Sequence, residues 1–126
     1  MKRDMELMRK ILFAIENEYK AGEVSIWGVK IEGYDIPTVA EHCDLLYQQE
    51  LIKSYKPIIG GDVVQAFRIG NLTYLGYDYL ELIRDDKVWE KTNTEIDEKK
   101  LPKTIEEIAK VAGIFMGNVF KEFTDR

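Results

Sequence analysis

A pair of glycines in the middle of the chain, Gly60 and Gly61, joins two segments that are rich in β-branched and aromatic residues. Glycine adopts the positive φ angles of a tight turn at little cost, so residues 51–59 and 63–69 are predicted to form the two strands of a β-hairpin. Pro57 has no backbone N–H to donate to a sheet. The first strand is therefore expected to be short or to lie at an edge.

A helix and a strand are predicted at the start of the chain. Asp4 is a suitable N-cap, apolar residues follow it at helical spacing, and Gly22 is a helix stop signal. Residues 24–31 are rich in β-branched and aromatic residues, which predicts a strand. Gly28 interrupts the alternation of this segment as a β-bulge would.

A second helix is predicted directly before the hairpin, ending near residue 50. Asp35 and Thr38 are alternative N-caps. Pro37 suits a first helical turn, and Thr38 followed by Glu41 fits a capping box.

Two more helices are predicted after the hairpin. Thr73 caps the first, which is expected to continue to about residue 91, and residues 90–103 are expected to form a charged connector. Pro102, Thr104 and Glu107 then mark the start of the last helix. Its apolar residues recur at helical spacing: Ile105, Ile108, Ala109, Ala112, Phe115, Met116, Val119, Phe120 and Phe123.

The order helix, strand, helix, hairpin, helix predicts an α+β fold, specifically a winged-helix-like domain with a C-terminal helical extension. In a winged helix, the helix before the hairpin is the recognition helix and the hairpin is the wing. An ordinary winged helix has a further short helix before the recognition helix, whereas here residues 25–34 look extended. We expect residues 1–92 to form this domain, and residues 93–126 to form the charged connector and an amphipathic helix packed on it.

Composition limits the class of protein. A chain of 126 residues, 45% hydrophobic and 33% charged, can bury one core and is expected to be folded throughout. Its one cysteine, Cys43, cannot form an internal disulfide, and its charged start lacks the apolar core of a signal peptide. The longest mainly apolar run, residues 111–120, is about half of what a membrane span requires. A cytoplasmic protein without a membrane segment is predicted.

Several short motifs are typical of one family. They are Met1-Lys2-Arg3-Asp4-Met5, Ile31-Glu32-Gly33-Tyr34-Asp35, His42 before a leucine-rich turn, Leu72-Thr73-x-x-Gly76, and Ile83-Arg84-Asp85-Asp86 followed by Trp89 and Lys91-Thr92. With these motifs the chain resembles an uncharacterised bacterial and phage-associated group, the domain of unknown function 2513. The resemblance spans residues 1 to about 92, and the C-terminal helix is similar in character only. It implies a small bacterial or phage protein of unknown role, with no catalytic or binding residues to transfer.

No catalytic, cofactor-binding or metal-binding residue is predicted. One His and one Cys are too few for structural zinc. His42 and Cys43 are consecutive in a helix and point about 100° apart, so they cannot form a thiolate–imidazolium pair and are expected to be packing residues. The glycines of residues 60–62 and 70–76 lack the phosphate-binding spacings. Acidic groups at residues 85–86 and 95–98 are expected to be solvated, which leaves enzyme as the weakest class.

The charge of the second helix favours a protein partner over DNA. Residues 35–50 contain four acids and no Lys or Arg, and the hairpin adds only Lys53, Lys56 and Arg68, although DNA affinity comes largely from cations that meet phosphates. The helix side opposite the expected core stripe (Ile36, Val39, Ala40, Cys43, Leu46, Tyr47) is the predicted partner-binding surface. Its residues are Thr38, Glu41, Asp44, Leu45 and Gln48.

Two alternatives to this hypothesis stay open. Leu45 can be a lone surface leucine, which needs no partner. A DNA-binding regulator is the other alternative, because the winged helix is most often used in that way. A homodimer would serve such a regulator by gathering Lys2, Arg3, Arg9 and Lys10 from two copies into one basic patch.

The last helix is also predicted to mediate self-association. Gly113 and Gly117 are four residues apart beside the apolar stripe, and Ile114 lies opposite the stripe. Small residues allow a second backbone to approach closely, and an exposed isoleucine supplies apolar area to bury. The alternative is that the glycines only ease packing within the chain and that Ile114 is incidental.

Overall fold

The computed structural model describes the backbone of residues 1–124 and the side chains of residues 1–117. The chain forms two compact units, Met1–Tyr77 and Asp78–Arg126. The described residues form five helices and one three-stranded antiparallel sheet, which confirms the predicted α+β class. The elements are α1 (Met5–Glu18), β1 (Ile26–Trp27), α2 (Ile36–Gln48), β2 (Tyr55–Gly60), β3 (Val63–Ile69), α3 (Tyr74–Ile83), α4 (Asp86–Lys99) and α5 (Ile105–Thr124).

The first helix begins and ends near the predicted positions. Asp4 is its N-cap, and the Leu7 N–H donates to the Asp4 carboxylate over 3.0 Å. Gly22 follows with a φ of 93°, a left-handed conformation that suits glycine. The side chains that α1 buries recur at helical spacing: Leu7, Met8, Ile11, Leu12 and Ile15.

The sheet has the order β1-β3-β2, so the predicted hairpin forms and Pro57 lies on an edge strand, as expected. Gly61 is in the turn with a φ of 65°. Phe67 and Ile69 of β3 are buried, and α2 packs on β3 and β2.

Two strands are shorter than predicted. The first covers only Ile26–Trp27 instead of residues 24–31, because the chain leaves the sheet after the Gly28 N–H donates to the Phe67 carbonyl over 2.7 Å. A Cβ at Gly28 would lie 2.3 Å from the Phe67 ring, so a larger residue at this position would clash with the ring. The second begins at Tyr55 instead of residue 51, although the pairing continues irregularly before it: Ile52 forms an isolated bridge with Leu72, and the Lys53 N–H donates to the Asn71 carbonyl over 2.9 Å.

The second helix is capped by Asp35, with the Thr38 N–H donating to its carboxylate over 2.9 Å. The alternative N-cap, Thr38, is therefore wrong, because this residue is already inside the helix. Pro37 occupies the first turn as predicted, and the helix ends at Gln48.

A short hydrogen-bonded junction joins the end of α2 to the start of α3. Thr73 caps α3 as predicted: its hydroxyl accepts from the Gly76 N–H over 3.0 Å and donates to the Glu50 carbonyl over 2.5 Å. The Thr73 N–H donates to the Leu51 carbonyl over 3.0 Å. The motif Leu72-Thr73-x-x-Gly76 is thus explained by backbone geometry.

The second unit corrects the prediction for residues 84–103. We expected α3 to continue to residue 91 and a charged connector to follow, but α3 ends at Ile83 and residues 86–99 form α4. Asp85 starts this helix by accepting from the Lys87 and Val88 N–H groups, over 2.8 and 3.0 Å. Its buried stripe is Val88, Trp89, Thr92 and Ile96. The division into residues 1–92 and 93–126 stays a prediction.

The last helix packs on α4 within the second unit. Thr104 caps it as predicted, accepting from the Glu107 N–H over 3.1 Å. Ile108, Val111 and Ala112 are its buried side chains in the described part, whereas Met116 is exposed. The predicted core residues Val119, Phe120 and Phe123 lie outside the described side chains.

Candidate functional site

The predicted partner-binding residues share the side of α2 that is turned away from the core. Glu41 and Gln48 are exposed, and Thr38, Asp44 and Leu45 are half-buried. The opposite side is buried through Val39, Ala40, His42, Cys43 and Leu46. We call the five predicted residues the acidic α2 face. Leu45 offers only part of its side chain to a partner.

The negative charge of the acidic α2 face extends to the neighbouring strand. Burial raises the pKa of Tyr55 on β2 to about 12, and the nearby charges of Asp44 and Glu41 contribute to the same shift. Proximity to a carboxylate disfavours ionisation of a phenol, so these two acids add to the larger effect of burial.

Two residues of the expected core stripe are in fact exposed. Ile36 is 43% exposed and Tyr47 is 46% exposed, so the prediction that both are buried is wrong. They lie in the first and last turns of α2, whereas the buried residues lie between Val39 and Leu46.

Tyr47 borders an open groove of about 520 Å³ at the end of α2. Its other walls include Tyr74, Leu75 and Lys53. Tyr74 is 85% exposed. This cluster could not be predicted from the sequence, because the local signal, the Thr73 cap, does not fix which side of α3 is covered.

His42 is a structural residue. It is fully buried, its Nε2 accepts from the Asp4 N–H over 2.9 Å, and its Nδ1 lies 2.8 Å from the Thr38 carbonyl. A backbone N–H can only donate and a carbonyl can only accept, so these contacts fix the neutral ring with the proton on Nδ1.

Asp4 and Tyr34 complete this polar cluster. The Tyr34 hydroxyl donates to the Asp4 carboxylate over 2.8 Å. Burial works to raise the pKa of Asp4, but hydrogen bonds, with those from Leu7 and Tyr34 foremost, contribute to holding this pKa below its usual value. Three of the motifs that led to the family therefore meet at one junction, which ties the start of α1 to α2.

Cys43 is placed as a packing residue and not as a nucleophile. It is fully buried, and burial raises the pKa of its thiol to about 12. A thiol in such surroundings stays protonated and unreactive at neutral pH.

The basic patch required by the DNA-binding alternative loses one of its four cations. Arg9 is buried, with its guanidinium 5.0 Å from the Phe13 ring centroid and 4.0 Å from the Glu6 carboxylate. Lys2, Arg3 and Lys10 are exposed, as that hypothesis needs.

The hairpin presents aliphatic side chains together with cations. Ile59 is 65% exposed near its tip, and Ile58 and Val63 are also exposed. Arg68, a cation of the hairpin, is held by hydrogen bonds to Ser25 and lies over the Trp27 ring. The pair of Arg68 and Trp27 could not be predicted from the sequence, because it depends on the register of β1 against β3.

The residues predicted to mediate self-association are open among the described side chains, residues 1–117. Ile114 is 57% exposed, and a Cβ added at Gly113 or Gly117 would meet none of these side chains within 4 Å. In the described part of the chain, close packing does not require either glycine.

Two of the acidic residues in the segments 85–86 and 95–98 have local structural roles. Asp85 caps α4, and Glu95 pairs with Lys99 one turn later. In the described part of the chain, no three His, Cys, Asp or Glu side chains come together to hold a metal ion. A search of the described residues also found no helix with the length and apolar character to cross a membrane.

Comparison with known proteins gives a family. Residues 2–102 match the family described as "Hypothetical protein (DUF2513)". An "Uncharacterized protein" of Haemophilus influenzae is 32% identical over 112 residues, which cover 89% of this chain and 92% of the relative. No solved structure matches the chain. The chain therefore belongs to the family of domain of unknown function 2513.

Proposed function

We propose that the protein is a non-catalytic winged-helix interaction module of the cytoplasm, which acts through protein contacts in regulation or in a phage-linked process. The order of the sheet supports the winged-helix assignment. The strand that precedes α2 pairs with the second strand of the hairpin, which places the hairpin beside α2 as a wing lies beside a recognition helix. The short second helix of an ordinary winged helix is replaced by the loop between β1 and α2.

The observation that carries the proposal is the acidic α2 face. An element in the position of a recognition helix exposes Glu41 and Gln48 and carries no cation. Phosphates would be repelled there, whereas a partner protein with Lys or Arg side chains would be attracted. Tyr47 in the last turn of this helix and Tyr74 across the groove from it are exposed, and tyrosine is enriched in protein interfaces.

A mobility-shift series with a random DNA duplex at low salt tests the choice between protein and DNA. We expect no salt-sensitive shift at or below about 1 μM protein, because too few phosphates can be neutralised. Binding in that range would overturn the proposal in favour of a DNA-binding regulator.

The partner surface is tested by purification from the native cell. A tagged Glu41→Lys/Gln48→Lys variant is expected to lose the proteins that the wild type retains, because it reverses the charge of the acidic α2 face. The matched control is Glu90→Lys/Glu106→Lys, since both residues are exposed acids of the second unit. Equal retention by the two variants would exclude the acidic α2 face as the contact surface.

We also propose a symmetric dimer through α5, supported by the exposed Ile114 and the open surroundings of Gly113 and Gly117. Light scattering coupled to gel filtration at tens of micromolar protein is expected to give twice the chain mass. Ile114→Glu is expected to give a folded monomer. A wild-type monomer would end this part of the proposal.

A further inference from the structure

One face of the sheet carries a row of two cations and an aromatic ring. Lys56 and Trp27 both pair with Arg68, from opposite sides of β3. Residues paired directly across antiparallel strands project to the same face, so the three side chains form a row. The neighbours of Arg68 on β3, Phe67 and Ile69, are buried on the other face, which α2 covers.

Arg68 and Trp27 are ordered before any ligand arrives. The Nε of Arg68 donates to the Ser25 hydroxyl over 2.9 Å, and its Nη2 donates to the Ser25 carbonyl over 3.1 Å. The guanidinium carbon lies 4.7 Å from the Trp27 ring centroid. Trp27 is nevertheless 58% exposed. Trp and Arg dominate the binding energy of many interfaces, and ordering them in advance lowers the entropic cost of binding.

Apolar side chains continue the same face. Ile58 pairs with Ala66 one row further along the sheet, and Ile58 is exposed. We call Trp27, Lys56, Ile58, Ala66 and Arg68 the open sheet face. Its positions hold two cations, one aromatic ring and two aliphatic side chains, without an acid.

We propose that the open sheet face binds an acidic segment of a partner protein. Carboxylates of the segment contact Lys56 and Arg68, and its apolar side chains cover Trp27 and Ile58. Charge complementarity selects this partner, because a segment of the same net charge would be repelled. The site is separate from the acidic α2 face and takes a partner of opposite charge.

Single-stranded nucleic acid is the other ligand that combines negative charge with stacking. Proteins that bind it use several aromatic rings on which successive bases stack. Here the next pair on the same face of the sheet is aliphatic, Ile58 and Ala66, which suits the side chains of a peptide.

The test is selection of a random 12-residue phage-displayed peptide library on the immobilised full-length protein, followed by fluorescence anisotropy with the consensus peptide. We expect a consensus in which Asp or Glu is next to aliphatic or aromatic residues. Lys56→Glu is expected to weaken binding of this peptide by about tenfold or more. Lys91→Glu is the matched control, because Lys91 is an exposed cation of α4.

Two further variants make the assignment specific. Trp27→Ser is also expected to weaken binding of the peptide. Because Trp27 is exposed, the melting temperature of this variant should stay near that of the wild type. Glu41→Lys/Gln48→Lys is expected to leave the affinity unchanged, which separates this site from the proposed function.

Three results would overturn the proposal. The first is a library that gives no consensus, or a neutral or basic one. The second is an affinity that Lys56→Glu leaves unchanged. The third is salt-sensitive binding of a 12-nucleotide oligo-dT that is tighter than binding of the peptide and is lost in Lys56→Glu.

Discussion

Replacing Gly76 by Ala tests the junction between α2 and α3. Gly76 is buried, and a Cβ on it would lie 2.1 Å from the Leu51 carbonyl oxygen. Carbon and carbonyl oxygen normally stay about 3.3 Å or more apart. The start of α3 must therefore move away by about 1 Å, which would stretch the bond from the Thr73 N–H to Leu51 and the bond from its hydroxyl to Glu50.

The expected loss is about 2 kcal/mol of the free energy of unfolding. Forcing an extra carbon into a packed site costs about 1–3 kcal/mol, and weakening one hydrogen bond costs about 1 kcal/mol. The higher helix propensity of alanine offsets up to about 1 kcal/mol of this loss.

The assay is urea unfolding followed by circular dichroism, at a protein concentration where light scattering reports a monomer. Gly113→Ala is the matched control, because its Cβ would meet no side chain of residues 1–117 within 4 Å, which leaves helix propensity as the main effect. It is expected to stabilise the protein by up to about 1 kcal/mol. A Gly76→Ala protein as stable as the wild type would refute the close-contact argument.

Three other changes test separate parts of the structure. The pKa of Asp4 is lowered in the folded state, so its carboxylate stabilises the fold above its unfolded pKa of about 3.8, and this contribution is lost as the pH falls through the folded pKa. Asp4→Asn is therefore expected to flatten the loss of stability in urea titrations between about pH 5 and pH 2; an unchanged slope would contradict this. Thr92→Val is expected to raise the free energy of unfolding by about 1 kcal/mol, because the buried Thr92 hydroxyl has no hydrogen-bond partner among the described residues. A free energy of unfolding below that of the wild type would show that the hydroxyl does form a hydrogen bond. Truncation after Lys100 removes α5 from α4 and is expected to expose core and reduce solubility, and an unchanged melting temperature would show that α5 is an appendage.

Helix starts could be predicted from the sequence because capping chemistry is local. Asp4, Thr73 and Thr104 each accept a hydrogen bond from an N–H three residues later. The same kind of signal was present at Asp85 but was outweighed by the charge-rich segment that follows it. Because α4 buries only one narrow stripe, its remaining positions are polar and resemble a connector.

Strand lengths and exposed clusters could not be predicted, since they depend on distant parts of the chain. The strand β1 ends where Gly28 meets the Phe67 ring, 39 residues away along the chain. The side of α2 that faces away from the core follows from a helical projection. The projection treats every turn alike, so it does not show that Tyr47 in the last turn is exposed.

The separation of charge in the first unit is a consequence of the sheet. If the net charge of −5 were spread evenly over the chain, the protein would repel any acidic partner. Alternate residues of β3 project to opposite faces, so the face covered by α2 holds Phe67 and Ile69 while the other face holds Arg68. The acids of α2 and the cations of the open sheet face thus lie on different sides of the sheet. Exposed charges separated by more than about 8 Å are largely screened at physiological salt, so placing the two sets of charges on different sides of the sheet favours the two separate partners proposed above.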